Sequence, residues 1–185
     1  LIYTSGSTGL PKAAAITHGG LKNYLLWAHA TYQPVSSGGV PINTSISFDA
    51  TVTSLWLPLI SGSHVHLLPS VNELEALYDL LSSTGDLSLV KLTPAHMSAL
   101  NARFDSSRLK ERARILVVGG EALRSELTQF WLRHAPETRI INEYGPTETV
   151  VGCAIYEANL SDDMARDVAI GRPIWNTQVY VLDEG

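Results

Sequence analysis

The chain has 185 residues, 45% of them hydrophobic and 17% charged, with a formal net charge of -5 at pH 7. That apolar share supports one globular domain with a real core and excludes disorder, while the acidic balance excludes the basic field that wraps nucleic acid. No apolar run reaches the roughly 18 residues of a membrane helix, nothing at the start has the build of a signal peptide, and the single cysteine, Cys153, permits neither an internal disulfide nor a Cys/His zinc site.

In chain order, LIYT reads as the tail of a strand already under way, so an internal fragment in a reducing, cytoplasmic setting is expected. AAAITH and INTSISF are predicted as strands or strand edges around the amphipathic helix GLKNYLLWAHATY. The helix ATVTSLWLPLIS and the strand HVHLLP follow, with His64 and His66 alternating on a surface strand. NELEALYDLLSS carries apolar residues at helical spacing, Leu74, Leu77, Leu80 and Leu81, and precedes the buried strand SLVKLT. AHMSALNARF and SELTQFWLRHA are helices, and ARILVVGG and TRIINEYG are strands. Past Thr149, VVGCAIYEA and NTQVYVLDE are predicted as strands with no long helix between them.

Strands alternating with helices predict an α/β fold, a mostly parallel sheet flanked by helices over residues 1–149, followed by the start of a smaller β segment over 150–185. Ligands of such sheets sit beyond the carboxyl ends of the strands, where TPAH, LVVGGEAL and NEYGPTETV fall.

TSGSTGLPK, residues 4–12, combines glycines, hydroxyls and a terminal cation, which suits phosphate oxygens through oriented backbone amides; a plain turn has the same composition. It is not a Walker loop, because Pro11 precedes Lys12 and a strand is predicted to follow. In NEYGPTET, Tyr144 offers a flat face for a base, and Thr147 with Glu148 offers hard oxygen ligands of the kind magnesium prefers. The alternatives are a core tyrosine and a solvated turn carboxylate. Asp49 in SFDAT either caps the following helix or faces a ligand. Cys153 reads as a small packed side chain.

Taken together, YTSGSTGLPK, SFDAT, GGEAL, NEYGPTET, IGRPI and VYVLD resemble the core motifs of the adenylate-forming superfamily, most closely the amino-acid-activating adenylation domains of nonribosomal peptide synthetases. The resemblance runs from end to end, with Ala13 standing where the phosphate motif usually has glycine. It implies the flavodoxin-like core subdomain of that fold, with the preceding strands, a later ribose-binding aspartate and the C-terminal subdomain with its catalytic lysine lying outside the chain. It also implies that Thr4, Ser5, Gly6, Ser7, Thr8, Gly9 and Lys12 hold the β- and γ-phosphates of ATP. Tyr144 would stack on adenine, with Asn142 and the backbone around Gly120, Glu121 and Gly145 beside it. Thr147 would touch the α-phosphate and Glu148 would bind Mg2+, so that Lys12, Thr147 and Glu148 serve the chemistry. These groups and Asp49 are expected to converge on one cleft.

The implied reaction is attack of an amino acid carboxylate on the α-phosphorus of ATP, for loading onto the phosphopantetheine of a carrier (thiolation) domain and use by a condensation domain. The resemblance pairs Asp49 with the substrate's α-ammonium and places Ala50, Thr53, His96 (or Ala95), Val117, Gly119, Glu143, Val151 and Gly152 around its side chain. This set is similar to pockets that select asparagine, departing at Ala50, commonly leucine, and His96, commonly lysine. Gly119 and Gly152 would leave room, and a basic side chain facing Glu143 is the competitor, unless Glu143 points to solvent. Three other readings remain: an ATP sensor without chemistry, a structural docking segment, and an acyl- or aryl-CoA ligase of the same superfamily.

Overall fold

The five residues ILVVG at 115–119 are all buried, and a strand hidden on both faces needs apolar layers above and below it. The computed structural model describes residues 1–4, 10–83, 85–106, 109 and 112–183, and both layers are present. In chain order the elements are β1 (Ile2–Thr4), β2 (Lys12–Ala14), α1 (His18–Tyr32), β3 (Val40–Ile42), α2 (Ala50–Ile60), β4 (Val65–Leu67) and α3 (Glu73–Ser83). β5 (Val90–Leu92), α4 (Pro94–Arg103), β6 (Ile115–Gly119), α5 (Ser125–His134), β7 (Arg139–Tyr144), β8 (Ala154–Glu157) and β9 (Arg172–Pro173) follow.

The main sheet has the order β5-β6-β7-β8-β9. It is parallel from β5 to β7, where helices provide the crossovers, and antiparallel from β7 to β9, where the chain returns without a helix. The α/β fold is therefore built on a mixed sheet, and β8 and β9 hydrogen-bond onto the same sheet as the parallel strands. β3 and β4 form a separate parallel pair.

Strand alternation distributes the core. Leu116, Val118 and Ile140 pack with Leu77 and Leu81 of α3, Met97 and Leu100 of α4 and Trp131 of α5. Their neighbours Ile115, Val117 and Ile141 pack on the other face with Tyr24, Trp27 and Tyr32 of α1 and Leu57 of α2. The helices thus flank the sheet on both sides, and α1 and α2 cover the face over which the site lies.

Three strand expectations differ from the structure. AAAITH is extended only to Ala14; Thr17 then caps α1, its side chain accepting from the Gly20 N–H at 3.1 Å. INTSISF contributes only Ile42 to β3, because the backbone closes a turn from Phe48 N–H to Ser45 C=O and the Thr51 hydroxyl donates to Ser45 C=O at 2.9 Å. Within 176–183 no strand forms among the described residues, and Val181 and Leu182 stand exposed. The strand bearing Lys12 pairs only with β1, Thr4 opposite Lys12, and is not the edge of the main sheet. His64, just before β4, is exposed and His66 on β4 is half-buried, their rings edge-on at 4.8 Å over Gly39.

Candidate functional site

The carboxyl ends of β5, β6 and β7 open on a cavity of about 470 Å3. Asp49, Ala50, His96, Gly119, Glu143 and Val151 line it, together with Gly120, Glu121, Gly145 and a residue absent from the sequence-based set, Lys91. Thr53, Val117 and Gly152 do not line it. Thr53 and Val117 are fully buried behind the wall, and Gly152 abuts Glu143, whose Cγ would lie 2.4 Å from a β-carbon at that position. Gly119 has a similar duty, since its β-carbon would lie 2.5 Å from the Glu143 carbonyl oxygen. Both glycines make room for Glu143 itself rather than for a ligand.

Glu143 does not point to solvent. Lys91 Nζ donates to its Oε2 in a buried ion pair, with side chains 6% and 2% exposed. Its Oε1 accepts from Tyr24 at 2.8 Å and from Tyr32 at 2.9 Å. The Tyr24 hydroxyl also meets Thr53 Oγ1 at 2.6 Å, and Thr53 lies 3.5 Å from Lys91 Nζ. With three donors in place, Glu143 retains one free lone pair, on the oxygen shared with Lys91. Burial pulls the Lys91 ammonium from its ordinary value down to about 7, with the charge of Asp49 opposing the shift. Burial likewise raises Tyr24 and Tyr32 well above the usual phenol range, so both hydroxyls stay protonated and donate.

Lys91 had one sequence signal, which was missed. It interrupts the apolar run Leu89, Val90, Leu92, and lysine is almost never fully buried without a partner. His96 lines the cavity, but its imidazole closes a capping box at the start of α4. Nδ1 accepts the Thr93 N–H at 3.3 Å, and Nε2 lies 3.4 Å from Glu73. The lysine that the resemblance sought at His96 stands five residues earlier. Lys91 thus stands as a cation beside Glu143 in the cavity wall.

Asp49 sits at the N-cap of α2 in helical backbone, and its side chain makes no capping hydrogen bond. Its half-buried carboxylate lines the cavity.

An adjoining cavity of about 440 Å3 shares Gly120, Glu121, Glu143 and Gly145 with the first, and Asn142, Tyr144, Pro146 and the unpredicted Asp167, Val168 and Ile170 also line it. Asn142 is buried and spends its amide N–H groups on the carbonyls of Val168 and Ala169, at 3.2 and 2.9 Å. Tyr144 is exposed and offers its face. The strand β7 thus presents Asn142 and Tyr144 to this cavity alone.

The expected single cleft does not hold for every residue. Glu148 lies on a 3-10 turn, Thr147–Thr149, after which Val150 adopts φ 88°, and it lines a third cavity of about 790 Å3 with Thr17, Gly19 and Gly20 of the α1 start. Lys12 is exposed on β2 and lines none of these cavities. Lys12, Asp49 and Glu148 thus have none of these three cavities in common. Thr4 is half-buried on β1, its hydroxyl 3.4 Å from the Lys12 carbonyl. Ser5, Gly6, Ser7, Thr8 and Gly9 lie outside the described residues. No group of three metal-ligating side chains occurs among the described residues. An exposed carboxylate such as Glu148 fits a magnesium ion held by one side chain and substrate phosphates rather than by a protein cage.

The chain matches the AMP-binding enzyme family over residues 1–185. It is 41% identical to tyrocidine synthase 3 of Brevibacillus parabrevis over 184 residues, which is 99% of this chain and 3% of that protein. To bacitracin synthase 3 of Bacillus licheniformis it is 42% identical, over 100% of this chain and 3% of that protein. Among solved structures, the adenylation domain AlmE of Vibrio cholerae, crystallised with glycyl-adenosine-5'-phosphate, superposes with a TM-score of 0.81 at 25% identity, covering 93% of this chain and 32% of that one.

A sheet of this topology with its cavities at the strand ends, matched along its whole length, defines an adenylate-forming, AMP-binding enzyme fold, and the chain belongs to that family. Within it, the chain is similar to the adenylation domains of nonribosomal peptide synthetases, and spans a small part of the length of the relatives it matches. No described helix is long and apolar enough to cross a membrane.

Proposed function

We propose that this chain builds the substrate cavities of an adenylation domain that activates asparagine as aminoacyl-AMP, with release of pyrophosphate, for transfer to a carrier domain. The observation that carries the reading is the pair Lys91 and Glu143 on the wall of the cavity that also holds the uncapped Asp49. After its internal bonds, the pair offers one ammonium N–H beside one carboxylate lone pair. A primary carboxamide is the complement, because its carbonyl accepts and its NH2 donates. A side-chain carboxylate would meet the charge of Glu143, a basic one that of Lys91, and an apolar one would leave both unpaired at about 1 to 3 kcal/mol each.

Asp49 would pair with the α-ammonium, an attraction of about 1 kcal/mol in water and about 4 kcal/mol at an effective dielectric near 20. Tyr144 would stack on adenine in the adjoining cavity, with Asn142 held beside it by the backbone. Thr4, Lys12 and the loop between them would take the terminal phosphates, Thr147 the α-phosphate and Glu148 the magnesium, whose charge supports departure of pyrophosphate. The residues supply positioning and charge rather than a nucleophile. Carrier and condensation domains, phosphopantetheine and a cytoplasmic location follow as the partners and setting that this chemistry needs.

The test is pyrophosphate exchange by the intact adenylation domain, run over all common amino acids. Asparagine should give the fastest exchange, with glutamine, one methylene longer, as the nearest competitor. A preference for an apolar or charged amino acid would overturn the carboxamide reading, and ATP binding without any amino-acid-dependent exchange would overturn the enzyme reading.

A further inference from the structure

Glu143 is held by two phenols that come from one helix more than 100 residues away in the chain. Tyr24 and Tyr32 both lie on α1, both are fully buried, and both hydroxyls donate to the same carboxylate oxygen, Oε1. Trp27 sits between them, its ring 5.8 Å from Tyr24 and 5.3 Å from Tyr32, so neither phenol can swing away without displacing packed aromatics. Neither tyrosine lines the cavity that holds Lys91 and Glu143.

A terminal carboxylate torsion is broad, so a glutamate held only at one oxygen by lysine could rock its plane and swing its free lone pair away from the cavity. Two donors on Oε1 remove that freedom. They spend the lone pairs of Oε1 and leave Oε2, the oxygen beside Lys91, as the acceptor turned to the cavity. Tyr24 adds a second restraint through Thr53, which stands between its hydroxyl and Lys91 Nζ.

We infer that Tyr24 and Tyr32 are positioning residues for substrate selection: they fix the plane of the Glu143 carboxylate and the direction of the lone pair it turns to the amino acid, and so maintain the donor–acceptor order that separates a carboxamide from its isosteres. This rests on the pocket reading above and deepens it. The residues act through Glu143 and touch no reacting atom.

The experiment uses the intact adenylation domain with Y24F, Y32F, the double variant, and each in an E143Q background. Exchange kinetics are measured with asparagine, aspartate, glutamine and leucine, with kcat and KM separated, alongside thermal unfolding. Each single change should lower the asparagine-to-aspartate ratio of kcat/KM by roughly 10-fold, the worth of one hydrogen bond to a charged group. The loss should fall on the KM for the amino acid, with the KM for ATP unmoved. In E143Q, where the phenols no longer face a charged acceptor, the tyrosine changes should shift the ratio clearly less than they do in the parent. A purely structural role would lower the melting temperature and slow every amino acid alike; an unmoved ratio, or an equal shift in the E143Q background, overturns the inference. Should another amino acid prove to be preferred, the asparagine assignment fails alone. The tyrosines are then scored by the ratio of that amino acid to its own isostere, where an unchanged value in the double variant overturns the inference.

Discussion

Removing the ammonium while keeping the shape of its side chain, as in K91M, should strand Glu143 in a wall where its side chain is 2% exposed. Two phenol bonds remain to it, so the cost should sit near the lower end of the about 3 to 5 kcal/mol expected for breaking a buried pair. E143Q should cost at least as much, because the buried Lys91 ammonium loses its counter-charge and keeps only neutral acceptors, Thr53 at 3.5 Å and the new amide oxygen. The double variant K91M/E143Q leaves no uncompensated charge, and its stability should return to within about 1 to 2 kcal/mol of the parent, the net worth of a buried pair replaced by neutral groups being small. Urea unfolding of the intact domain at pH 7, with all four proteins sharing one m-value, reads the cycle directly. Additive losses in the double variant, or a K91M loss below about 1 kcal/mol, would refute the claim that these two groups depend on each other.

Further outcomes follow from the same geometry. Because burial holds Lys91 near 7 in the fold against about 10.4 unfolded, the unfolded chain binds more protons between those values. Stability should therefore rise with pH from about 7 towards 10, by up to roughly 1.4 kcal/mol per pH unit from this group, and the rise should vanish in K91M when unfolding is repeated at pH 7, 8 and 9. D49N should reduce kcat/KM for the amino acid by roughly 100-fold or more while ATP affinity, read by isothermal calorimetry, stays within two-fold or so. G152A places a methyl 2.4 Å from Glu143 Cγ; since that side chain is tied at three points, the change should cost about 1 to 3 kcal/mol and blunt amino acid selectivity, seen by thermal unfolding and exchange assays together.

The helices and buried strands were legible because periodicity reports burial: Leu77 and Leu81 of α3, and the unbroken run ILVVG of β6, could only belong to covered elements. Tyr144 was legible as a candidate because it ends a strand and carries an aromatic face where ligands gather, whereas Asn142 and Glu143 entered through the resemblance. What stayed hidden was three-dimensional pairing. Nothing local in GLKNYLLWAHATY announces that two of its tyrosines reach a glutamate more than 100 residues on, and a periodic helix absorbs Tyr24 and Tyr32 as ordinary core. Lys91 was lost to the apolar strand around it. The strand expected over 176–184 failed for the complementary reason: alternating Val179, Val181 and a tyrosine give strand propensity, but a strand needs a neighbour.

The reversal of direction at β7 has an evolutionary reach. One strand is party to a parallel ladder on one side and an antiparallel ladder on the other, and it gives Asn142 and Tyr144 to one cavity while Glu143 stands in the wall that both share. Successive side chains on such a strand diverge by geometry, so a substitution at the middle position can reshape the shared wall while the flanking positions keep the rest of the adjoining cavity as it is. A lineage that keeps this arrangement can vary one cavity, letter by letter, while leaving most of its neighbour's lining untouched.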